Sequence, residues 1–437
     1  MSIPTLQGLQ TALSGLVAEQ QALDVTGHNI TNANTPGYSR QTAVLQTNEP
    51  MVIAAMSPVN GKGGQLGTGV SVSTFERIRN TYLDSQFRDQ NTALGAATTQ
   101  ANELQQAQSA FDEPTSAGLS SQMSAFWSSW SALADSPSSE AAKESVVSTG
   151  TQVATTLGQL SSRLTNLSEQ AGEQYAAITG PTGQVQGAAT QIAQLNQQIK
   201  LSEQAGQSPN DLLDRRDELL DNLSELAKIT VKQEPNGTDT VSFGDAEKPL
   251  VEGSTVNWPQ TLTAAAGGQL GTLLELSGPT GALANYQTAL NEVASSLASS
   301  VNALHTSTPF FTGNTAATLA VAVTPAQVQA SGTAAVGGNE VAQNIAELRG
   351  GAADQHYASL VEHLGSDVLT AQNDETNSQA VVTAVENQRQ AVSGVSLDEE
   401  MTNLITFQRG YQSSARTLTA MDEMLDTLIN HTGSVGL

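Results

Sequence analysis

Five acids crowd one short stretch, Asp211, Asp214, Asp217, Glu218 and Asp221, and their density invites a calcium site. A calcium loop takes oxygen ligands from alternating positions around a sharp glycine turn. Here the acids recur at three- and four-residue steps, and Arg215 and Arg216 sit among them. That is the pattern of a helix opening after Pro209, with Asn210 or Asp211 as cap and acids near its positive end. Of the five histidines, His28, His305, His356, His363 and His431, only His356 and His363 share a helical face. Two turns separate them, beyond the spacing of a shared zinc, so all five read as solvated or capping groups. The run Gly61-Lys62-Gly63-Gly64-Gln65-Leu66-Gly67 resembles a phosphate loop. It lacks a glycine at 66 and leads into alternating Val70-Ser71-Val72-Ser73 rather than a helix, which makes it a hairpin tip. Trp127 and Trp130 read as core anchors rather than a sugar platform. No nucleophile elbow or Walker loop occurs, and the absence of cysteine excludes thiolate metal sites and disulfides. No catalytic, cofactor-binding or metal-binding residue is expected.

Composition narrows the class further. The 437 residues carry 17 Lys+Arg against 42 Asp+Glu, a net charge of −25, yet only 14% of residues are charged and 4% aromatic. Such a chain suits several domains built on thin aliphatic seams between helices. No lysine or arginine lies between Lys248 and Arg349, so binding of nucleic acid or of an anionic membrane surface is excluded there. No apolar run approaches the ~18 residues of a membrane span. Met1-Ser2-Ile3-Pro4 lacks the basic and apolar regions of a signal peptide, so export by a route that ignores cleavable signals is expected.

The elements follow from periodicity. Leu6, Leu9, Leu13, Leu16, Leu23 and Ile30 fall on a 3-4 spacing, with Gln20 and Gly27 completing the stripe. Residues 1–39 contain only Glu19 and Asp24 as charges, so this helix touches protein on more than one side. Near the other end, Leu397, Met401, Leu404, Tyr411, Leu418, Leu425 and Ile429 repeat the spacing. A second apolar set, Ile405, Phe407, Met421, Met424 and Leu428, widens that face beyond one partner helix. Further seams run through 83–111, 119–133, 153–167 and 283–304, broken at Pro114, Pro137, Pro181 and Pro209.

These readings predict a mainly α fold with a smaller β-rich domain, in which long coiled-coil helices pair the two termini. The expected divisions are 1–60, an axial helix and extended arm, and 61–228, a helical bundle with a short hairpin. Residues 229–340 form an outer β domain with one helix at about 282–306, its sheet continuing through Leu270 to Leu276. Residues 341–437 supply C-terminal helices that pair with the N-terminal ones.

One segment is more specific. Asn29, Asn32 and Asn34 lead into Thr35-Pro36-Gly37-Tyr38-Ser39-Arg40, a helix stop followed by a type II turn. This string resembles the N-terminal signature of bacterial flagellar axial proteins. Gly67-Thr68-Gly69-Val70, Phe75-Glu76-Arg77-Ile78-Arg79, the run Asn210 to Asp217 and the block Gly394 to Glu400 look like the flagellar hook-associated protein 1 family. Asn302 and His305 are similar to that family's Asn-x-x-His element.

The resemblance implies a structural protein of the bacterial flagellum, a junction ring of identical subunits between hook and filament that allows flagellin assembly. It implies the hook protein and hook-associated protein 3 as neighbours, and type III export to an extracellular position. It also implies a cytoplasmic export chaperone on the C-terminal segment, with Ile405, Phe407 and Met421 as its candidate contacts. Two alternatives stand beside it. One is another axial component, hook-associated protein 3 or a flagellin-like subunit; the other is a secreted enzyme or adhesin carrying axial ends.

Overall fold

A computed structural model describes residues 4–53, 64–113, 115–332 and 337–431. The chain opens with helix α1 (Pro4–Asn32), then runs out and back as an arm of four strands. Strands β1 (Gln41–Thr47) and β4 (Val70–Arg77) pair antiparallel, as do β2 (Met51–Ile53) and β3 (Gly64–Leu66) nearer the tip. The arm therefore crosses the boundary expected at residue 60, because the hairpin predicted around 70–73 takes its partner strand from 41–47.

A run of helices follows: α2 (Thr81–Phe111), α3 (Leu119–Asp135), α4 (Glu140–Thr179), α5 (Gln184–Gln204) and α6 (Asn210–Leu226). Caps set several of the starts. Asn80 accepts from the amides of Tyr82 and Leu83, and Ser139 from that of Ala142. Pro114 lies outside the described residues.

The β-rich stretch is smaller than its sequence suggests. Strands β5 (Ile229–Gln233), β6 (Asp239–Phe243), β7 (Val251–Glu252) and β8 (Thr255–Val256) make one antiparallel sheet. Residues expected to continue it form α7 (Gly268–Ser277) instead. Leu270, Leu273 and Leu276 recur at three-residue steps and are buried on one helical face, which a strand could not achieve. Next come α8 (Ala282–Leu304), a minimal pair β9 (Phe311–Thr312) and β10 (Ala320–Val321), α9 (Glu340–Ala346), α10 (Ala352–Ser393) and α11 (Leu397–Asp426).

Two cores result, and neither follows the expected divisions. The larger joins α2, α3, α4, α7, α8, α9 and α10 around Phe126, Trp127, Trp130, Phe310 and Phe311. The smaller sets α5 and α6 against the β5–β8 sheet through Val185, Ile192, Leu220, Leu223 and Phe243. Residues 229–340 are thus not one outer β domain, since α8 and the Leu273 and Leu276 side of α7 belong to the larger core, while Leu270 of α7 joins the smaller one. Asn302 and His305 pin the segment that follows α8. Asn302 exchanges two hydrogen bonds with the backbone of Phe311, at 2.8 and 2.9 Å. The Gln329 amide donates to His305 Nε2 at 2.8 Å, so the proton sits on Nδ1 and faces the Thr308 carbonyl.

Of the C-terminal helices only α11 packs along α1; α10 lies against α2 and α8. The mainly α architecture with a smaller β region agrees with the periodicity, whereas the pairing of 341–437 as a unit with the N-terminus does not hold. What stands apart from the two cores is a rod of two antiparallel helices, α1 and α11.

Candidate assembly interface

In the rod, four contacts share one antiparallel register, each pair of residue numbers adding to the same total. A Cβ on Gly8 would stand 2.5 Å from Met421 Cε, and one on Gly15 would stand 3.2 Å from Ser414 Oγ. A Cβ on Gly410 would meet the Glu19 carboxylate at 2.6 Å, and Asn29 Nδ2 donates to Glu400 Oε2 at 3.1 Å. The residues of α1 that are fully buried are accordingly small or polar: Ala12, Ala18, Ala22, Thr26 and Asn29. Glycine on both helices lets the backbones approach more closely than leucine would.

The leucine stripes expected to face each other therefore do not form the seam. Leu9, Leu16, Leu23 and Ile30 are only half-buried, one residue further round α1 than the glycine–alanine stripe, and Leu13 is exposed. The side chain of Leu6 lies outside the described residues. On α11, Leu404, Tyr411, Leu418 and Leu425 are half-buried, whereas Leu397, Met401 and Ile429 are exposed. Each residue advances the helix by about 100°. In an antiparallel pair the displacement from seam to next residue has the same sense on both helices. The half-buried leucines of both therefore border one flank of the rod. The opposite flank of α1 is covered by the arm, where the Val70 amide donates to Ser14 Oγ at 3.3 Å. Phe407 and Met421, read as part of a second free face with Ile405, turn toward α1 and are half-buried. Ile405 is exposed.

The Asn-Thr-Pro-Gly-Tyr motif ties the rod to the body. Gly37, at φ +76°, completes a turn closed by the Tyr38 amide on the Thr35 carbonyl at 3.2 Å. Asn32 donates to the His28 carbonyl and accepts from Thr35 Oγ1, each at 3.1 Å, while Asn34 and Pro36 are exposed. Asn29 is the hub of the motif. Its Oδ1 accepts from the Gln41 amide and from the Tyr38 hydroxyl at 3.0 and 2.7 Å, while its Nδ2 reaches the Gln41 carbonyl at 2.8 Å. Burial, reinforced by Asp211, Asp214 and Glu400, pushes the Tyr38 phenol above its ordinary value, so it remains a donor. Its single proton goes to Asn29, so His28 Nδ1, 3.1 Å away, donates to the Tyr38 oxygen.

Behind this motif the acids of α6 meet the arginines of the arm and of two long helices. Arg77 pairs with Asp214 and Asp217 at 2.7 and 3.0 Å, and Arg79 with Asp84 and Asp217 at the same two distances. Arg88 pairs with Asp217 and Asp221 at 3.1 and 2.8 Å, and Arg389 of α10 with Asp221 at 2.8 Å. Arg389 also lies 4.4 Å over the Phe87 ring. Arg40 reaches Glu399 and Glu400 at the start of α11, at 2.7 and 2.9 Å. Burial alone would raise Asp217, but Arg79, Arg77 and Arg88 outweigh it and hold the carboxyl below its usual range.

The helix opens after Pro209 as its spacing predicts, with Asp211 in its first turn, but neither Asn210 nor Asp211 caps it. Asn210 donates to Gln41 Oε1 and the Phe75 carbonyl, both at 3.0 Å, and Asp211 accepts from Gln41 Nε2 at 2.9 Å. The arginines were the part missed. A signal for them existed, because acids at 211, 214, 217 and 221 lie on one helical face and so large a buried charge needs cations. Trp127 and Trp130 are buried in the larger core. Among the described residues, no cluster of three or more His, Cys, Asp or Glu is placed to hold a metal ion.

Comparison with known proteins gives three family matches. Residues 104–264 match the flagellar hook-associated protein FlgK helical domain. Residues 9–38 match the flagella basal body rod protein family, and 386–431 the flagellar basal body rod FlgEFG protein C-terminal family. The chain is 30% identical to flagellar hook-associated protein 1 of Bacillus subtilis, covering 99% of both chains. It is 24% identical to the protein of the same name from Escherichia coli, over 97% of this chain and 99% of that one. A solved structure of the flagellar hook junction protein FlgK from Burkholderia pseudomallei overlays 51% of this chain and 43% of its own, with 25% identity and a TM-score of 0.44.

Proposed function

Because the chain belongs to the flagellar hook-associated protein 1 family, we propose that its work is done by the rod and its joint rather than by any pocket. It is a structural component of the bacterial flagellum at the junction of hook and filament. In this reading the copies form a closed ring between the hook protein and hook-associated protein 3, and present a surface on which flagellin assembles.

The observation that carries the reading is the rod itself. Its internal seam uses small residues, which leaves Leu13, Val17, Leu397, Met401 and Ile405 exposed on a pair of long helices, of which α1 is weakly charged. Apolar surface of this extent on an otherwise acidic chain is explained by neighbours that cover it. Such neighbours also overcome the net charge of −25, since residues 4–32 hold only two acids and present little repulsion. The chain has no catalytic role in this proposal. An export chaperone would take Ile405 together with Phe407 and Met421 before α11 pairs with α1, because the last two are turned inward once the rod has formed.

Electron microscopy of a strain lacking the gene, with the medium assayed for flagellin, tests the proposal. Bare hooks and secreted flagellin monomer are expected; filaments of normal length on normal hooks would overturn it. Removal of residues 397–437 is expected to abolish capture by the chaperone.

A further inference from the structure

A chain with few cations concentrates them in one place. Five of its 17 lysines and arginines, Arg77, Arg79, Arg88, Arg216 and Lys228, line a single open cavity of about 570 Å³. The cavity lies where the end of β4, the first turns of α2, the link from α6 to β5, and β6 come together. It therefore adjoins the arm, the long helices of the body and the smaller core at once.

The buried carboxylates here have their cations, and several cations have donors to spare. Asp217 is shared by Arg77, Arg79 and Arg88, Asp84 is held by two nitrogens of Arg79, and Asp239 pairs with Arg216. Arg77 meets Asp214 and Asp217 through Nη1 alone, so its Nε and Nη2 have no acceptor among the described residues. Arg88 uses Nε on Asp221 and Nη2 on Asp217 and keeps Nη1 free. Lys228 is exposed and makes no ion pair among the described residues. The Ser85 and Thr230 hydroxyls on the same walls have no hydrogen-bond partner there either. None of these spare donors is sealed in the interior. One group opposes them: Asp89, also on the wall, is exposed and has no ion pair among the described residues.

Guanidinium nitrogens that open on a cavity without an acceptor are matched by an anion with oxygens to share. The spare donors come from β4, α2, the link after α6, and β5, more directions than the two oxygens of a carboxylate serve. The positive end of α2 faces the same space, with Thr81 and Ser85 of its first turns on the wall. We infer that this cavity binds a tetrahedral oxyanion, of the phosphate or sulfate kind, through Arg77, Arg88 and Lys228 with the Ser85 and Thr230 hydroxyls. The bound anion bridges the arm, α2 and the smaller core, and so braces the joint from which the rod extends. The cavity has room beyond a single such ion, so the group is either free or the phosphoryl end of a larger molecule. The site does not depend on the assembly role proposed above.

Equilibrium dialysis of the full-length chain against radiolabelled inorganic phosphate tests the site, with chloride holding the ionic strength constant so that general screening does not contribute. Saturation at one phosphate per chain is expected. Lys228→Glu should weaken binding about tenfold or more, the effect of losing one charge-assisted bond, and Asp89→Asn should tighten it. Both positions are exposed and outside every ion pair, so the urea midpoints without phosphate should match the wild type. Competition by glycerol phosphate separates the two sources. Displacement of the label at similar concentration assigns the site to a phosphoryl group on a larger molecule, and failure to displace it assigns the site to the free ion. Phosphate uptake that does not saturate, or that Lys228→Glu leaves as in the wild type, would overturn the site.

Discussion

The body and the rod are both built from helices of some thirty residues, yet they bury opposite kinds of side chain. In the body, Phe126, Trp127, Trp130, Phe310 and Phe311 interlock with ring centroids 4.8–6.3 Å apart, and a shell of leucines surrounds them. In the rod, the fully buried side chains are alanines, a threonine, an asparagine and one glutamate, while leucines stay half outside. Buried apolar area is the main source of stability, so the body holds its shape alone and the rod draws most of its stability from what covers it. The joint between them is polar throughout. The rod's position is set by hydrogen bonds and ion pairs with strict geometry rather than by apolar contact.

Trp130→Ala should separate the body from the rod most clearly. Emptying that site is expected to cost about 3–5 kcal/mol, seen as a large drop in the urea midpoint of the body. A loss below about 1 kcal/mol, small for a core residue, would mean that the aromatic cluster does not carry the body.

The joint comes next. Asp217→Asn leaves Arg77, Arg79 and Arg88 without their shared carboxylate, and breaking a buried charged network costs about 3 kcal/mol at neutral pH. The native carboxyl is held below the unfolded value. Its contribution is therefore complete above about pH 4 and is lost as pH falls through the folded value. The difference between wild type and variant should shrink between pH 5 and pH 2. A difference that stays constant over that range would show that the charge of Asp217 is not what matters.

The smaller core supplies a carboxyl of opposite sign. Asp239 pairs with Arg216 at 3.0 Å, but burial outweighs that attraction and raises its value to about 6. An unfolded aspartate titrates near 3.9, so the folded lobe takes up the proton and stability falls as pH rises from about 4 to 6. The expected change is on the order of 2 kcal/mol across that window, read by hydrogen exchange of the β5–β6 hairpin. Asp239→Asn should flatten it, and a hairpin in the wild type that grows more protected from pH 4 to 6 would contradict the assignment.

How much of this could be read from the residues differs by element. The long helices were legible because their apolar spacing persists over many turns, and the stop at Thr35-Pro36-Gly37 was legible because few backbone shapes accept that string. Which face of α1 is buried was not. Its leucine and alanine stripes lie one residue apart, and hydrophobicity favours the leucines. The outcome depended instead on close backbone approach at Gly8 and Gly410, a property of two distant helices together. Pairing of β1 with β4 is likewise non-local, and short alternation at 70–73 could not name its partner. Leu270 to Leu276 misled because a brief apolar run fits strand or helix equally until its neighbours are known. The acids of α6 misled for a related reason: their role depended on arginines more than a hundred residues away on either side.

The smallest expected effect bears most directly on the rod. Val17 is half-exposed on the outer face of α1 and touches neither core, so Val17→Asp in the isolated chain should change the urea midpoint of the body by no more than about 0.5 kcal/mol. A neighbour that covers this face in the assembled flagellum would strip water from a carboxylate placed there. Retention of the variant on isolated flagella should therefore fall sharply although the free chain is as stable as wild type. If its body unfolded as readily as that of Trp130→Ala, rod and body would form one cooperative unit. If the variant were instead retained like wild type, the exposed face of α1 would not be where subunits meet, and the small-residue seam would need another explanation than leaving that face free.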